Sequence, residues 1–253
     1  MNLSLIMKKR LILIYNEGVE GTQTYLRGVL EDMRNYQAFF KSIEGGAWND
    51  NEIVIFHKPS VEQVKKYIEE NTDSAYFLIV FCGHGGSYNG ETVLELDFCV
   101  DLSLSELRDW VRHTRSLIIC DCCREAPEVE PIMESLNTRV RMFSQGGTIG
   151  DRVKARIEYQ KAIRATSETT YTIGFAASLG EEAGESSKGG FYSHSLLKAA
   201  STVAKSGNAG VVSFIQCHNM AEPNVIKLSN DEQHPEYWAP RSRTQLPFVV
   251  RIQ

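Results

Sequence analysis

The chain has 253 residues, 42% of them hydrophobic and 23% charged, with a formal net charge of −5. That composition describes a folded protein with a sizeable core, as one large α/β domain or two small ones. It gives no sign of a nucleic-acid surface, because Lys8-Lys9-Arg10 is the one dense basic run, and no apolar run reaches the length of a membrane span.

Met1–Met7 is too short for a secretory signal and carries its charges on the wrong side. Six cysteines (82, 99, 120, 122, 123 and 217) in a chain of this length do not resemble a disulfide framework, and several sit inside apolar runs. The expected compartment is the reducing cytoplasm.

In chain order, Leu11–Tyr15 (LILIY) reads as the first core strand. Asn16–Gly21 is rich in turn residues, and Thr22 is a candidate cap for a helix over Tyr25–Ile43 with apolar residues at helical spacing. That helix is expected to end by Gly45-Gly46. Glu52–Phe56 is a second strand, Pro59-Ser60 starts a second helix, and Ala75–Phe81 is a third strand. Glu91–Val100 alternates apolar and polar residues, as a half-exposed hairpin does. Ser103 and Glu106 open a helix to about His113, and Leu117–Cys120 forms a buried central strand.

Between Glu128 and Thr170 there is no clean period, and two readings stand side by side: a functional or mobile connection, or a solvated surface helix over 151–165. Tyr171–Ala177 resumes as a buried strand. Gly180–Gly190 is an acidic, glycine-rich loop, Phe191–Val203 and Val211–Leu228 are helical, and Pro247–Ile252 is a closing strand. Strands alternating with helices imply an α/β fold with a parallel sheet and helices on both faces.

Two strands end in chemistry. Tyr76–Phe81 runs into Cys82-Gly83-His84-Gly85, and Leu117–Cys120 runs into Asp121-Cys122-Cys123-Arg124. Reacting groups gather just past the carboxyl ends of parallel strands. A thiol nucleophile, an imidazole to exchange protons and amide donors for an oxyanion are what thiolate catalysis needs. Cys123 and His84 supply the first two, and the Gly85 and Cys123 amides are candidates for the third. Taken singly, each cysteine reads better as a packed thiol and the histidine as a loop residue; two strand ends together favour a site.

Residues two apart on an extended chain face the same side, so Asp121 and Cys123 point together while Cys122 points away into the core. The C-x-C-C spacing lacks the C-x2-C knuckle of structural zinc sites, so no metal is expected. The glycines around His84 lack the third glycine and following helix of a dinucleotide loop. Asp121 either caps a turn or lines a pocket for a substrate cation, with Asp32 as a second acid for that pocket.

Strand-Gly-His-Gly followed by strand-Asp-Cys-Cys-Arg resembles the caspase-fold cysteine peptidases, and among them the metacaspase branch. Asp121 stands two before the nucleophile where true caspases carry Gln. Leu26-x-Gly28-x-x-Glu31-Asp32 is similar to the family's first-helix motif. Ala176-Ala177-Ser178, Glu181-x-Ala183-x-Glu185 and Gly190-Phe191-x-Ser193-x-Ser195-Leu196-Leu197 resemble the strand, specificity loop and helix of its small subunit, and Gln233-x-Pro235 also fits.

The resemblance implies a caspase-like α/β/α sandwich around a mostly parallel sheet of about six strands. It divides the chain into a large-subunit-like part (1–138), a basic linker (139–170) and a small-subunit-like part (171–253). Cys123 would be the nucleophile and His84 the general acid and base. Asp32 and Asp121 would form an acidic S1 pocket walled by Cys82 and Ser178, selecting Arg or Lys. Arg139, Arg141, Arg152, Arg156 and Arg164 would be self-processing sites.

Three departures are visible: Cys82 replaces the usual serine, Arg124-Glu125 replaces the His-Ser-Gly that often follows the nucleophile, and no calcium cluster is clear. Glu128 and Glu130 alone do not make one, so no required metal or cofactor is expected. The expected partners are protein substrates. With no recruitment domain ahead of the first strand, regulation is expected from the chain itself or from an activating protein. Family habit points to a stress, cell-death or defence pathway. Against this stand a caspase-fold pseudoenzyme acting as a scaffold, and a small-molecule hydrolase or transferase with no visible cofactor loop.

Overall fold

The computed structural model describes residues 7–125, 143, 146–186 and 188–252. β1 (Lys9–Asn16) is followed by α1 (Val29–Lys41), β2 (Ile53–His57), α2 (Val61–Glu69) and β3 (Tyr76–Gly83). A small antiparallel sheet of β4 (Gly85–Tyr88), β5 (Glu91–Asp97) and β6 (Val100–Ser103) leads into α3 (Leu104–Val111) and β7 (Arg115–Asp121). Then come α4 (Ile149–Arg164), β8 (Tyr171–Phe175), the short pair β9 (Glu185–Ser186) and β10 (Gly189–Gly190), and α5 (Phe191–Ala204). β11 (Gly210–Ser213), α6 (Phe214–Leu228), β12 (Glu236–Trp238) and β13 (Pro247–Arg251) complete the chain.

The central sheet has six strands in the order β12-β8-β7-β3-β1-β2. All its neighbours are parallel except the edge pair of β12 with β8. The bulky residues that make these strands also divide the core, because successive side chains point to opposite faces. Leu11, Leu13, Leu78, Val80, Leu117 and Ile119 pack under α1, α4, α5 and α6. Ile12, Ile14, Phe77, Ile79, Phe81, Ile118 and Cys120 pack against α2 and α3. The result is a three-layered α/β/α sandwich.

Several local readings change. Helix α1 begins at Val29 rather than Tyr25, because the Thr22 hydroxyl donates to Val19 O at 2.6 Å and closes a turn instead of capping. The N-cap is Gly28, where a Cβ would meet Ser186 O at 2.5 Å. The helix stops at Lys41, ahead of the expected glycines. Val211 and Val212 belong to a strand, β11, which pairs antiparallel with β13 outside the central sheet. Neither edge strand β12 nor β4 was expected, both being short.

Within 139–170 the second of the two readings holds, because residues 149–164 form helix α4, opened by a reciprocal Thr148–Asp151 capping box. Ala155, Tyr159 and Ile163 are buried, while Ile149, Val153 and Ile157 remain exposed on another face. Apolar residues on two faces cancel the helical periodicity that a sequence reader looks for. Arg156 pairs with both Glu52 oxygens (2.7 and 2.9 Å) and donates to Ala47 O, and Arg152 donates to Lys41 O. Buried Lys9 lies 3.1 Å from the centre of the Trp48 ring and 3.4 Å from Glu52, with its pKa lowered by burial. Arg152, Arg156 and Arg164 therefore occupy a regular helix instead of an open linker. Arg139, Arg141, Glu128 and Glu130 lie outside the described residues.

Candidate active site

The site forms where β3 and β7 end side by side, with Cys82 opposite Asp121 in register. The alternation of Leu78, Val80 and Leu117, Ile119 carries both onto the face covered by α1 and α5. Cys122 falls on the opposite face with Cys120, as the pleat required. From α1, Asp32 reaches the same spot. Asp32, Cys82, His84, Asp121 and Cys123 all line one small cavity of about 40 Å³, which Ala183, Glu185 and Gly190 help to close.

His84 is held from behind. Its Nε2 lies 2.7 Å from Thr24 O, and since a carbonyl only accepts, Nε2 carries the proton and Nδ1 is left as the basic nitrogen. Gly18 backs this arrangement with φ +78°, and a Cβ there would come within 2.9 Å of Nε2. Gly83, at φ +154°, permits the close passage of β1, for a Cβ would meet Asn16 O at 2.4 Å.

Cys123 is partly buried, and its Sγ accepts the Ala183 N–H at 3.3 Å. Burial is the main cause pushing this thiol up to about 11; the Ala183 amide pulls down, and Glu182, Asp121 and Glu125 push up further. The Cys123 thiol is neutral near pH 7.

The floor is acidic. Gly190 N donates to Asp32 Oδ2 at 2.7 Å and Ser193 N to Asp121 Oδ2 at 3.0 Å. Burial raises Asp32 well above the ordinary carboxylate range, and the Asp121 charge adds to that. Asp121 rises to about 6, mainly by burial and against the bonds from Ser193. Glu185 takes amides from the start of α1, Arg27 N at 2.9 Å and Gly28 N at 3.1 Å, yet burial lifts it to about 7. No ion pair among the described residues involves Asp32, Asp121 or Glu185.

Two expected residues stand elsewhere. Ser178 does not line the cavity; its hydroxyl donates to His234 O at 2.9 Å and its amide to Glu181, which fixes the base of the 178–184 segment. Gly85 is also outside the cavity lining and lies against Cys122, where a Cβ would meet Sγ at 2.8 Å.

Sequence reading missed Thr24 and Gly18 as parts of the site and gave Ala183 only as a member of a loop motif, because each acts through its backbone. It also missed Arg124, whose buried guanidinium lies 3.9 Å from the Phe175 ring centre. Arg124 donates to Thr92 Oγ1 and Ala177 O and pairs with Glu236, tying the residue after Cys123 to β5, β12 and the segment just past β8. An arginine directly after Cys123 was the available signal.

The family model for the caspase domain matches residues 8–247. The crystal structure of caspase-1 from Spodoptera frugiperda is similar in fold, with a TM-score of 0.60 at 11% identity, over 95% of this chain and 89% of that one. No curated protein matches this chain.

Proposed function

Given that the chain belongs to the caspase-domain family of cysteine peptidases, we propose that it is an endopeptidase of the metacaspase type that cleaves proteins after Arg or Lys. The observation that carries the reading is the single cavity in which a thiol, an imidazole and two buried carboxylates without a cation converge. A guanidinium or ammonium entering it would meet both acids and relieve their mutual repulsion. An aspartate side chain would be the third negative charge there.

In this mechanism His84 Nδ1 takes the Cys123 proton as Sγ attacks the scissile carbonyl. The oxyanion is stabilised by the Cys123 and Gly85 amides, the latter after a local shift. His84 then protonates the leaving amine, and water hydrolyses the thioester. Thr24 O holds the imidazole in the required tautomer throughout.

The conformation described is a latent one, because Ala183 N engages the nucleophile and Glu185 pins the 183–190 segment across the floor. Activation withdraws that segment, by self-processing at Arg139 or Arg141 or by an activating partner protein. Arg152, Arg156 and Arg164 are withheld, since a protease binds extended backbone and α4 is helical. Calcium does not fit the floor, where a thiol stands among too few hard oxygens, and no step is drawn through it. The protein is placed in the cytoplasm, acting by limited proteolysis in a stress, cell-death or defence response.

The test is hydrolysis of matched fluorogenic peptides ending in Arg, Lys or Asp by the wild type and Cys123→Ala, with and without calcium. Arg or Lys turnover that vanishes in the variant is expected; efficient cleavage after Asp would overturn the pocket assignment. The raised Cys123 thiol and the covered cavity favour one competing reading, a scaffold that has kept the residues but not the activity. An arginyl electrophile that labels Cys123 excludes it.

A further inference from the structure

A second cavity, far larger than the catalytic one at about 660 Å³, lies between the end of α4, the β11–α6 junction, β12 and the 239–245 segment. That volume is in the range of small-molecule sites, and the two cavities share no lining residue. The pleat of β12 separates them. Glu236 and Trp238 turn to the face of Arg124 and Phe175, whereas Tyr237 turns to the other face, at 79° to the His218 ring, and walls the larger cavity.

The charge of this cavity is one-sided. Arg241 and Arg243 line it and, among the described residues, no carboxylate does, in a chain whose formal net charge is −5. Neither guanidinium has a hydrogen bond or an ion pair with a described residue. Helix α6 starts at the same wall, so the positive end of its dipole adds to the two cations. Two like charges two residues apart call for an anion between them, and the guanidinium fork matches phosphate and carboxylate oxygens.

The remaining wall sets what must carry that anion. Val211, Ile215 and Pro240 are apolar, and the Tyr237 ring is 38% exposed. Gln245 Nε2 donates to Ser242 O at 3.0 Å, which fixes the orientation of the amide and leaves its buried Oε1 without a donor. A bare inorganic anion would engage the arginines and leave most of the volume, the ring and the acceptor unused. A ligand with an anionic end, a flat apolar body and N–H donors uses all of them.

We propose that this cavity binds a nucleoside phosphate, its phosphate oxygens on Arg241 and Arg243 and its base against Tyr237. The N–H groups of the base are donors of the kind that Gln245 Oε1 lacks. Binding involves no covalent step and no catalytic residue, so it stands apart from the endopeptidase reading.

The experiment titrates the full-length wild type with N-methylanthraniloyl-ADP as a fluorescent probe. ADP, adenosine, inorganic phosphate and a glutamate-rich peptide are the competitors. Saturable binding of one probe per chain is expected, displaced by ADP, with adenosine and phosphate competing about 10-fold less well or worse. Arg241→Ala and Arg243→Ala should each weaken binding about 10-fold and the pair about 100-fold. Both arginines are exposed, so the melting temperature should not change. Cys123 alkylation should also keep its wild-type rate in the paired variant, and a parallel loss would make the arginines part of the active site and overturn a separate one. No saturable binding up to about 1 mM probe, or undiminished binding in the paired variant, overturns the proposal. Displacement by phosphate as strong as by ADP would reduce the cavity to an anion site and overturn the nucleoside assignment. Equally strong displacement by the peptide would give the cavity to acidic protein segments instead.

Discussion

Asp121 and Cys123 are two residues apart, yet they belong to regions built in opposite ways. Asp121 ends a strand that is buried along its length, takes an amide from α5, and faces Asp32 on α1; the floor is made of core elements. Cys123 lies just past the strand, held by two long bonds with the Ala183 amide and carbonyl, and His84 is held by a loop carbonyl at Thr24. The floor is preorganised before a ligand arrives, its carboxyl groups held by amides from Gly190, Ser193, Arg27 and Gly28. The rim is held in a resting state, its thiol neutral and covered. A site of this kind can keep specificity fixed in rigid elements while activity is switched in the loops.

The contrast is broken most severely at the rim. Cys123→Ala is expected to lower peptide hydrolysis about 10,000-fold or more, with the melting temperature unchanged or higher. Steady-state kinetics beside a thermal melt checks both halves.

At the floor, Asp121→Asn should cost about 100-fold or more in kcat/KM for Arg peptides, as expected when one partner of a buried charge contact is removed. Alkylation of Cys123 should continue in that variant at near the wild-type rate. If alkylation falls as steeply as turnover, floor and rim are not separate devices.

pH separates them next. Asp121 titrates near 6 and Glu185 near 7, both above their unfolded values, so each is a group whose native state holds its proton more tightly. The stability this contributes is complete below the unfolded pKa values and is lost as pH rises through about 6 and 7. Binding of a basic side chain has the opposite sign, because the floor must be ionised to attract it. Denaturant midpoints should fall between about pH 4 and 7 while kcat/KM for Arg peptides rises over the upper part of that range. A flat activity profile in this window would show the floor to be uninvolved.

The smallest expected effect lies where the two regions are tied together. Glu185→Gln weakens the carboxylate's hold on the Arg27 and Gly28 amides, and should speed Cys123 alkylation roughly 3- to 10-fold. An unchanged rate would locate the cover in Ala183 alone.

The sequence by itself determined strands β1, β2, β3, β7, β8 and β13 and the polar residues that end β3 and β7. Short runs of bulky apolar residues stopping at polar ones can be little else in an α/β chain, and the two-residue alternation alone sends Cys122 to one face and Asp121 to the other. What only the tertiary structure decided was whatever depends on backbone atoms or on distant partners. Thr24 and Ala183 act through a carbonyl and an amide, which every residue has, so no side-chain pattern announces them. The α4 helix stayed one of two readings because its apolar residues lie on two faces, and Arg124 became a strut only once Thr92, Ala177 and Glu236 were brought around it. The acidic floor gained its character the same way: Asp32 and Asp121 are 89 positions apart in the numbering, and burial, which sequence does not measure, is what lifted two ordinary carboxyl groups out of their usual range.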